Sequence, residues 1–114
     1  MFMAHWDTRE FADKDPDINN RSLPILGAND GASGVAALLT LAEIINRFPP
    51  LNIGIDLLFI DGEDQGITGK SDSYGLGSQA FAKNIPGISP QFAICLDMIA
   101  DNEPHFLIEY FSYK

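Results

Sequence analysis

The sequence predicts an α/β fold, a mainly parallel or mixed sheet with flanking helices, on three observations. Strand-like and helix-like segments alternate as strand, loop, helix, strand, helix, strand. Two strand segments, residues 53–60 and 92–99, are nearly continuous apolar runs, the pattern of strands covered on both faces. Residues 33–47 repeat apolar side chains at helical spacing. At 114 residues and 46% hydrophobic, the chain is globular and holds at most one domain, residues 1–114.

Each element has a local reason. Residues 1–4, Met-Phe-Met-Ala, are a short apolar strand end that runs into His5-Trp6-Asp7. Residues 8–24, with Asp13-Lys14-Asp15-Pro16-Asp17 and Asn19-Asn20, carry the turn chemistry of a loop. In residues 27–39 (Gly-Ala-Asn-Asp-Gly-Ala-Ser-Gly-Val-Ala-Ala-Leu-Leu) glycines surround Asp30 and permit tight turning before the helix. The helix 33–47 has an apolar stripe of Val35, Leu38, Leu39, Ala42 and Ile45, widened by Leu41 and Ile44, and Pro49-Pro50 stops it. The strand 53–60 is interrupted by Gly54 and Asp56 and gives way to Asp61-Gly62-Glu63-Asp64-Gln65-Gly66. A polar loop 67–73 and a short helix 76–82 follow, then the buried strand 92–99 with Asp97 inside it, and a third strand at 105–110.

Charge narrows the function classes. With 16 Asp and Glu against 7 Lys and Arg the net charge is −9, which leaves no basic patch for nucleic acid or an anionic membrane. A single cysteine, Cys95, excludes an internal disulfide and reads as a small core residue. No run is long enough to span a bilayer, and residues 1–4 are too short for a signal segment.

In parallel sheets, binding groups gather beyond the carboxyl ends of the strands. His5, Asp7, Glu63, Asp64 and Asp97 all fall at or after such ends, and Asp30 falls at a helix start on the same rim. Unpaired, these carboxylates repel one another; a divalent cation offsets that. His5-x-Asp7 supplies a metal ligand and a carboxylate able to accept from the other ring nitrogen. In Glu63-Asp64 one carboxylate can bind metal while its neighbour remains a base. Asp97, flanked by apolar residues, needs a partner, as does Asp56, for which a salt bridge or hydrogen bond suffices. The bland counterparts are an N-capping Asp30, a solvated His5 and a solvated turn at 63–64. Trp6 either lines a substrate pocket or covers the sheet, and His105 reads as structural. Asp13, Asp15 and Asp17 lack the Gly and Glu of a calcium loop, and Ser78 has no adjacent base for serine hydrolysis. A magnesium-dependent phosphatase needs basic groups near the cluster, and Lys70 is the one obvious candidate.

Four motifs in order, Ala4-His5-Trp6-Asp7, residues 27–35, Phe59-Ile60-Asp61-Gly62-Glu63-Asp64 and Leu96-Asp97-Met98-Ile99, resemble the zinc aminopeptidase and glutaminyl cyclase superfamily. The resemblance implies the zinc exopeptidase (phosphorylase/hydrolase-like) fold and zinc, one or two ions, as cofactor. It implies His5 and Asp97 as ligands of one zinc, Asp30 as the bridging ligand and Asp64 as a ligand of the second. Glu63 matches the general base, and Asp7 the residue that orients His5. The family commonly has Glu where Asp64 stands. It also opens with strands upstream of His5 and places a last zinc ligand, a His, well downstream of Asp97, so the resemblance implies a fragment, incomplete at both ends. The substrates implied are peptide or protein N-termini, and the compartment implied is periplasmic or secreted. Two activities compete: cyclisation of an N-terminal glutamine to pyroglutamate with release of ammonia, and hydrolysis of the first peptide bond. The segment 72–78, Asp-Ser-Tyr-Gly-Leu-Gly-Ser, and His5-Trp6-Asp7-Thr8-Arg9 resemble the bacterial cyclase-like proteins and favour the first. A relative that uses the fold only for binding is the third reading, disfavoured because every ligand position within range holds a suitable residue.

Overall fold

A computed structural model describes residues 1–48, 52–85, 87, 89–106, 108 and 110. The elements are β1 (Phe2–His5), α1 (Ala32–Arg47), β2 (Leu57–Ile60), α2 (Leu76–Lys83) and β3 (Ile94–Cys95), with 3-10 turns at Ile18–Asn20 and Ser71–Ser73. The three strands form one sheet in the order β2-β1-β3. Both pairings are parallel, Phe2 opposite Leu57 on one side and Ile94 on the other. The sheet is the α/β sheet that the sequence predicts, and β1, the shortest apolar stretch, is its centre.

The strands are shorter than their apolar runs. Residues 53–55 stay outside the ladder, and β2 begins at Leu57, just after Asp56, whose carbonyl accepts the Phe2 N–H at 2.9 Å. The segment 92–99 was expected to be a buried strand, but β3 keeps two residues, with Ile94 48% exposed and Cys95 exposed. Among the described residues β3 pairs only with β1, and Cys95 is exposed there where the sequence suggested a core residue. Past Leu96, whose N–H bonds to the Met3 carbonyl, Met98 adopts φ 47, a left-handed backbone that ends the extended run. Of the strand expected at 105–110, residues 107 and 109 lie outside the described residues. His105, Phe106 and Ile108 are exposed and form no ladder. They follow Pro104, which has no N–H to give a ladder. Pro49-Pro50 also lie outside the described residues.

One face of α1 lies on β1 and β2. Leu38, fully buried, packs with Ala4 and Ile60 as the core, while Leu39 (56%) and Ile44 (46%) face outward although the sequence pattern counts them in the stripe. Gly34 is what allows the helix to come this close. A Cβ there would collide with the Leu96 carbonyl and stand 2.8 Å from the Ala4 Cβ. Arg47 in the last turn pairs with Glu43 at 3.2 Å, a cation at the negative end of the helix dipole. No helix among the described residues is long and apolar enough to cross a membrane.

Candidate metal centre

Because β1 has a parallel neighbour on each side, the chain reverses its direction of travel across the sheet there. The crevice beyond the strand ends opens at that point. His5 is the last residue of β1. Glu63 and Asp64 lie in the turn that follows β2, and Asp97 lies two residues beyond β3. Asp30 arrives from the loop before α1. The helix cap is Gly31, with φ 92, and no side chain caps it, so Asp30 is not the N-cap that local sequence allows. A Cβ at Gly31 would collide with the Asp7 carbonyl, so this approach requires glycine. The Asp30 carboxylate goes to His5 instead.

His5 is the hub. Its ring is 4% exposed, and Nδ1 donates to the Asp7 backbone carbonyl at 3.0 Å. That turns Nε2 toward the carboxylates, 3.1 Å from Asp30 Oδ1 and 3.2 Å from Asp97 Oδ1. These are hydrogen-bond and ion-pair distances, and two ligands of one tetrahedral zinc at ~2.0 Å stand about 3.3 Å apart, so the same three groups are close enough to take an ion between them. His5, Asp30 and Asp97 each offer a ligand atom, all within 4.8 Å of one another, and so do His5, Glu63 and Asp64. Asp64 Oδ2 is buried and has no hydrogen-bond partner. A buried carboxylate oxygen without a partner is stabilised by a cation far better than by solvent it cannot reach. The donor set fits a divalent ion.

Titration behaviour agrees with a crowded anionic pocket. Burial raises the Asp30 carboxyl above its ordinary value, and the charges of Asp64 and Asp97 add to it against the pull of His5. Burial, then the hydrogen bond and charge of Asp64, push Glu63 up to about 7. Burial disfavours a charge on His5, but the Asp97 hydrogen bond and the charges of Asp97, Glu63 and Asp64 outweigh it and raise its pKa.

Asp7 departs from expectation in an instructive way. Its carboxylate was to accept from the His5 ring, yet Oδ1 stands 3.6 Å from Nδ1, and the backbone carbonyl of the same residue takes that bond. The carboxylate instead accepts the N–H of Glu63 at 3.0 Å and of Asp64 at 3.1 Å. Burial opposes the charge on Asp7, but these two bonds win and hold its carboxyl below the usual range. Trp6, which the sequence leaves between lining a substrate pocket and covering the sheet, is 58% exposed, next to the buried His5 and Asp7. Sequence reading passed over Asn29 and Ser33. Ser33 Oγ donates to the Asn29 carbonyl at 2.6 Å and accepts from Ile99 N–H at 3.1 Å, while Asn29 Oδ1 accepts from Ala100 N–H at 2.9 Å. These bonds tie the Asp30 loop to the turn that carries Asp97.

The family model described as Peptidase family M28 matches residues 1–114. The chain belongs to Peptidase family M28. Over 97% of its length the family member resembles Bacteroides thetaiotaomicron glutaminyl cyclase bound to N-acetylhistamine, with 44% identity and a TM-score of 0.90. A leucine aminopeptidase precursor from Bacteroides thetaiotaomicron is 47% identical over 86% of the chain, TM-score 0.76. A Zn-dependent exopeptidase from Parabacteroides distasonis is 43% identical over the same share, TM-score 0.76. Among curated proteins, the alkaline phosphatase isozyme conversion protein of Escherichia coli is 33% identical over 74% of the chain. The chain spans 40% of the first cyclase, 36% of the aminopeptidase precursor and 24% of the Escherichia coli protein. The fold is the one that glutaminyl cyclases and zinc exopeptidases share.

Proposed function

We propose that the full-length protein is a zinc-dependent enzyme of peptide N-termini, a glutaminyl-peptide cyclotransferase that converts N-terminal glutamine to pyroglutamate with release of ammonia. The observation that carries this reading is the likeness to the Bacteroides thetaiotaomicron cyclase over 97% of the chain at a TM-score of 0.90. The cluster chemistry supports zinc, since His and Asp donors at these spacings suit a tetrahedral site. With one ion, Asp30 and Asp64 would be the ligands this chain supplies, and His5 and Asp97 would keep the pairing seen beside them. With two ions, the resemblance would give His5 and Asp97 to one, Asp64 to the other, and Asp30 to both. Bound zinc supplies a Lewis acid for the carbonyl oxygen of the glutamine side-chain amide.

Glu63 is the proton carrier in this reaction. It takes a proton from the substrate α-amine as the amine nitrogen bonds to the side-chain amide carbon, and returns that proton to the amide nitrogen as the carbon–nitrogen bond breaks and ammonia leaves. Burial and the neighbouring Asp64 carboxylate favour the protonated form of Glu63, the direction that lets a carboxyl hold and hand back a proton. Asp7, which holds the Glu63 N–H, keeps that carboxyl beside the ligands.

The likeness to the leucine aminopeptidase precursor, 47% identical, favours one second reading, hydrolysis of the first peptide bond with two zinc ions. A coupled assay separates them. The full-length protein is given a Gln-initiated peptide beside an amino-acid anilide, and zinc per chain is counted. Ammonia from the peptide with an inert anilide and one zinc supports the cyclase. Anilide cleavage without ammonia release, with two zincs, overturns it in favour of the aminopeptidase.

A further inference from the structure

Residues 7–9 grip the turn 63–66 from both sides. On one side Asp7 accepts the N–H groups of Glu63 and Asp64, and Gln65 Nε2 donates to the Thr8 carbonyl at 3.0 Å. On the other side Arg9 Nη1 donates to the carbonyls of Asp64 and Gly66, each at 2.9 Å. The two peptide groups that flank the Asp64 Cα are therefore both pinned, one through its N–H and one through its C=O. The buried Oδ2 of Asp64 has no hydrogen-bond partner, so these backbone contacts help to set where that oxygen lies. Neighbouring negative charge pushes against it.

We propose that Arg9 is a positioning residue that holds Asp64 in its metal-binding geometry through the backbone; this rests on the zinc reading above. The guanidinium is built into place. Asp13 takes Nε at 2.6 Å and Nη2 at 2.8 Å in a bidentate fork, which fixes the plane of the group. The Tyr74 ring lies 5.9 Å from Cζ, and the Arg9 side chain is 22% exposed. The free edge of that fixed plane presents Nη1 to both carbonyls. A lysine ammonium cannot meet the Asp13 fork and two carbonyls with one rigid plane. The Tyr74 ring also packs on Gly66, where an added Cβ would strike it, so the loop 67–75 bears on the clamp from behind.

The test uses the full-length protein and measures zinc affinity by chelator competition, with a thermal midpoint as a control for folding. Arg9→Met is expected to weaken zinc binding about 10- to 100-fold, the usual cost of losing an outer partner of a ligand. Arg9→Lys should recover part of that loss. A folded Arg9→Met protein with zinc affinity within about twofold of wild type overturns the proposal, whatever its thermal midpoint. If Arg9→Met does not fold, Asp13→Asn decides. It removes the charge and one acceptor of the fork while leaving both carbonyls, and should weaken zinc in the same direction as Arg9→Met but by less; unchanged affinity there overturns the proposal. Wild-type protein that binds no zinc overturns the metal reading and the clamp with it, whereas zinc-binding wild type and an equal Arg9→Met overturn the clamp alone.

Discussion

Asp7→Ala separates two jobs that one residue performs with different atoms. The carboxylate, 7% exposed, accepts from Glu63 N–H at 3.0 Å and Asp64 N–H at 3.1 Å. The backbone carbonyl, which the substitution leaves in place, accepts from His5 Nδ1. Each hydrogen bond to a charged group is worth about 1.5–3 kcal/mol. Losing both therefore costs about 3–6 kcal/mol, and the part-exposed turn, open to replacement water, places the loss near 3. As the free energy that keeps the turn closed, ~3 kcal/mol corresponds to about 100-fold in the opening equilibrium. Amide hydrogen exchange on the full-length protein reads this directly. Exchange at Glu63 and Asp64 should accelerate about 100-fold, while the His5 ring keeps its Nδ1–H bond to the residue-7 carbonyl. Unchanged exchange at those two amides in a folded variant would refute the assignment of the carboxylate as anchor. Loss of the His5 bond would refute the assignment of the carbonyl as its orienting group.

Other substitutions test the remaining links. Glu63→Gln should abolish turnover and leave zinc stoichiometry unchanged, because the base is lost and the ligands stay; normal turnover, read as ammonia release, would remove Glu63 from the mechanism. Leu38→Ala should cost about 2–5 kcal/mol in denaturant unfolding, since the fully buried side chain leaves a cavity between α1 and the sheet. Gly34→Ala should destabilise by about 1–3 kcal/mol or more, because the new methyl meets the Leu96 carbonyl and the Ala4 Cβ; a neutral midpoint would show that α1 can ride further from β1.

The helices were legible almost to the residue. The stripe predicted 33–47 and the structure gives Ala32–Arg47; the short helix predicted at 76–82 is Leu76–Lys83. Strand limits were not, for a physical reason. Hydrophobicity reports that a segment seeks burial, whereas a strand ends where its neighbour's ladder ends, as at Ile60 opposite His5. The cluster of His5, Asp30, Glu63, Asp64 and Asp97 was legible because the rule about strand ends needs only the order of elements. Asp7 was legible as a residue but not as atoms, since nothing in a sequence distinguishes a carbonyl bond from a carboxylate bond. Arg9, Asn29 and Ser33 were not legible as anchors. Their partners lie 55, 71 and 66 positions away, and a single polar residue carries no periodic signal of so remote an acceptor or donor.

The central place of β1 explains why one histidine serves both ligand groups. Strands in a sheet lie about 4.8 Å apart, so a side chain at the end of the middle strand reaches groups at the ends of both neighbours. His5 accordingly meets Asp97 on the β3 side and Glu63 and Asp64 on the β2 side, with Asp30 entering over the top from α1. This concentration has an electrostatic cost, visible in the raised Asp30 and Glu63 carboxyls. Forces that oppose the repulsion come from outside the ring of ligands: the two amides on Asp7, the Arg9 guanidinium on the 64 and 66 carbonyls, and Ser33 and Asn29 on the 99 and 100 amides. Each acts on backbone and leaves the carboxylate oxygens free. A site held in this way keeps its ligands close together while reserving their lone pairs, and the missing attraction is the one a divalent cation supplies.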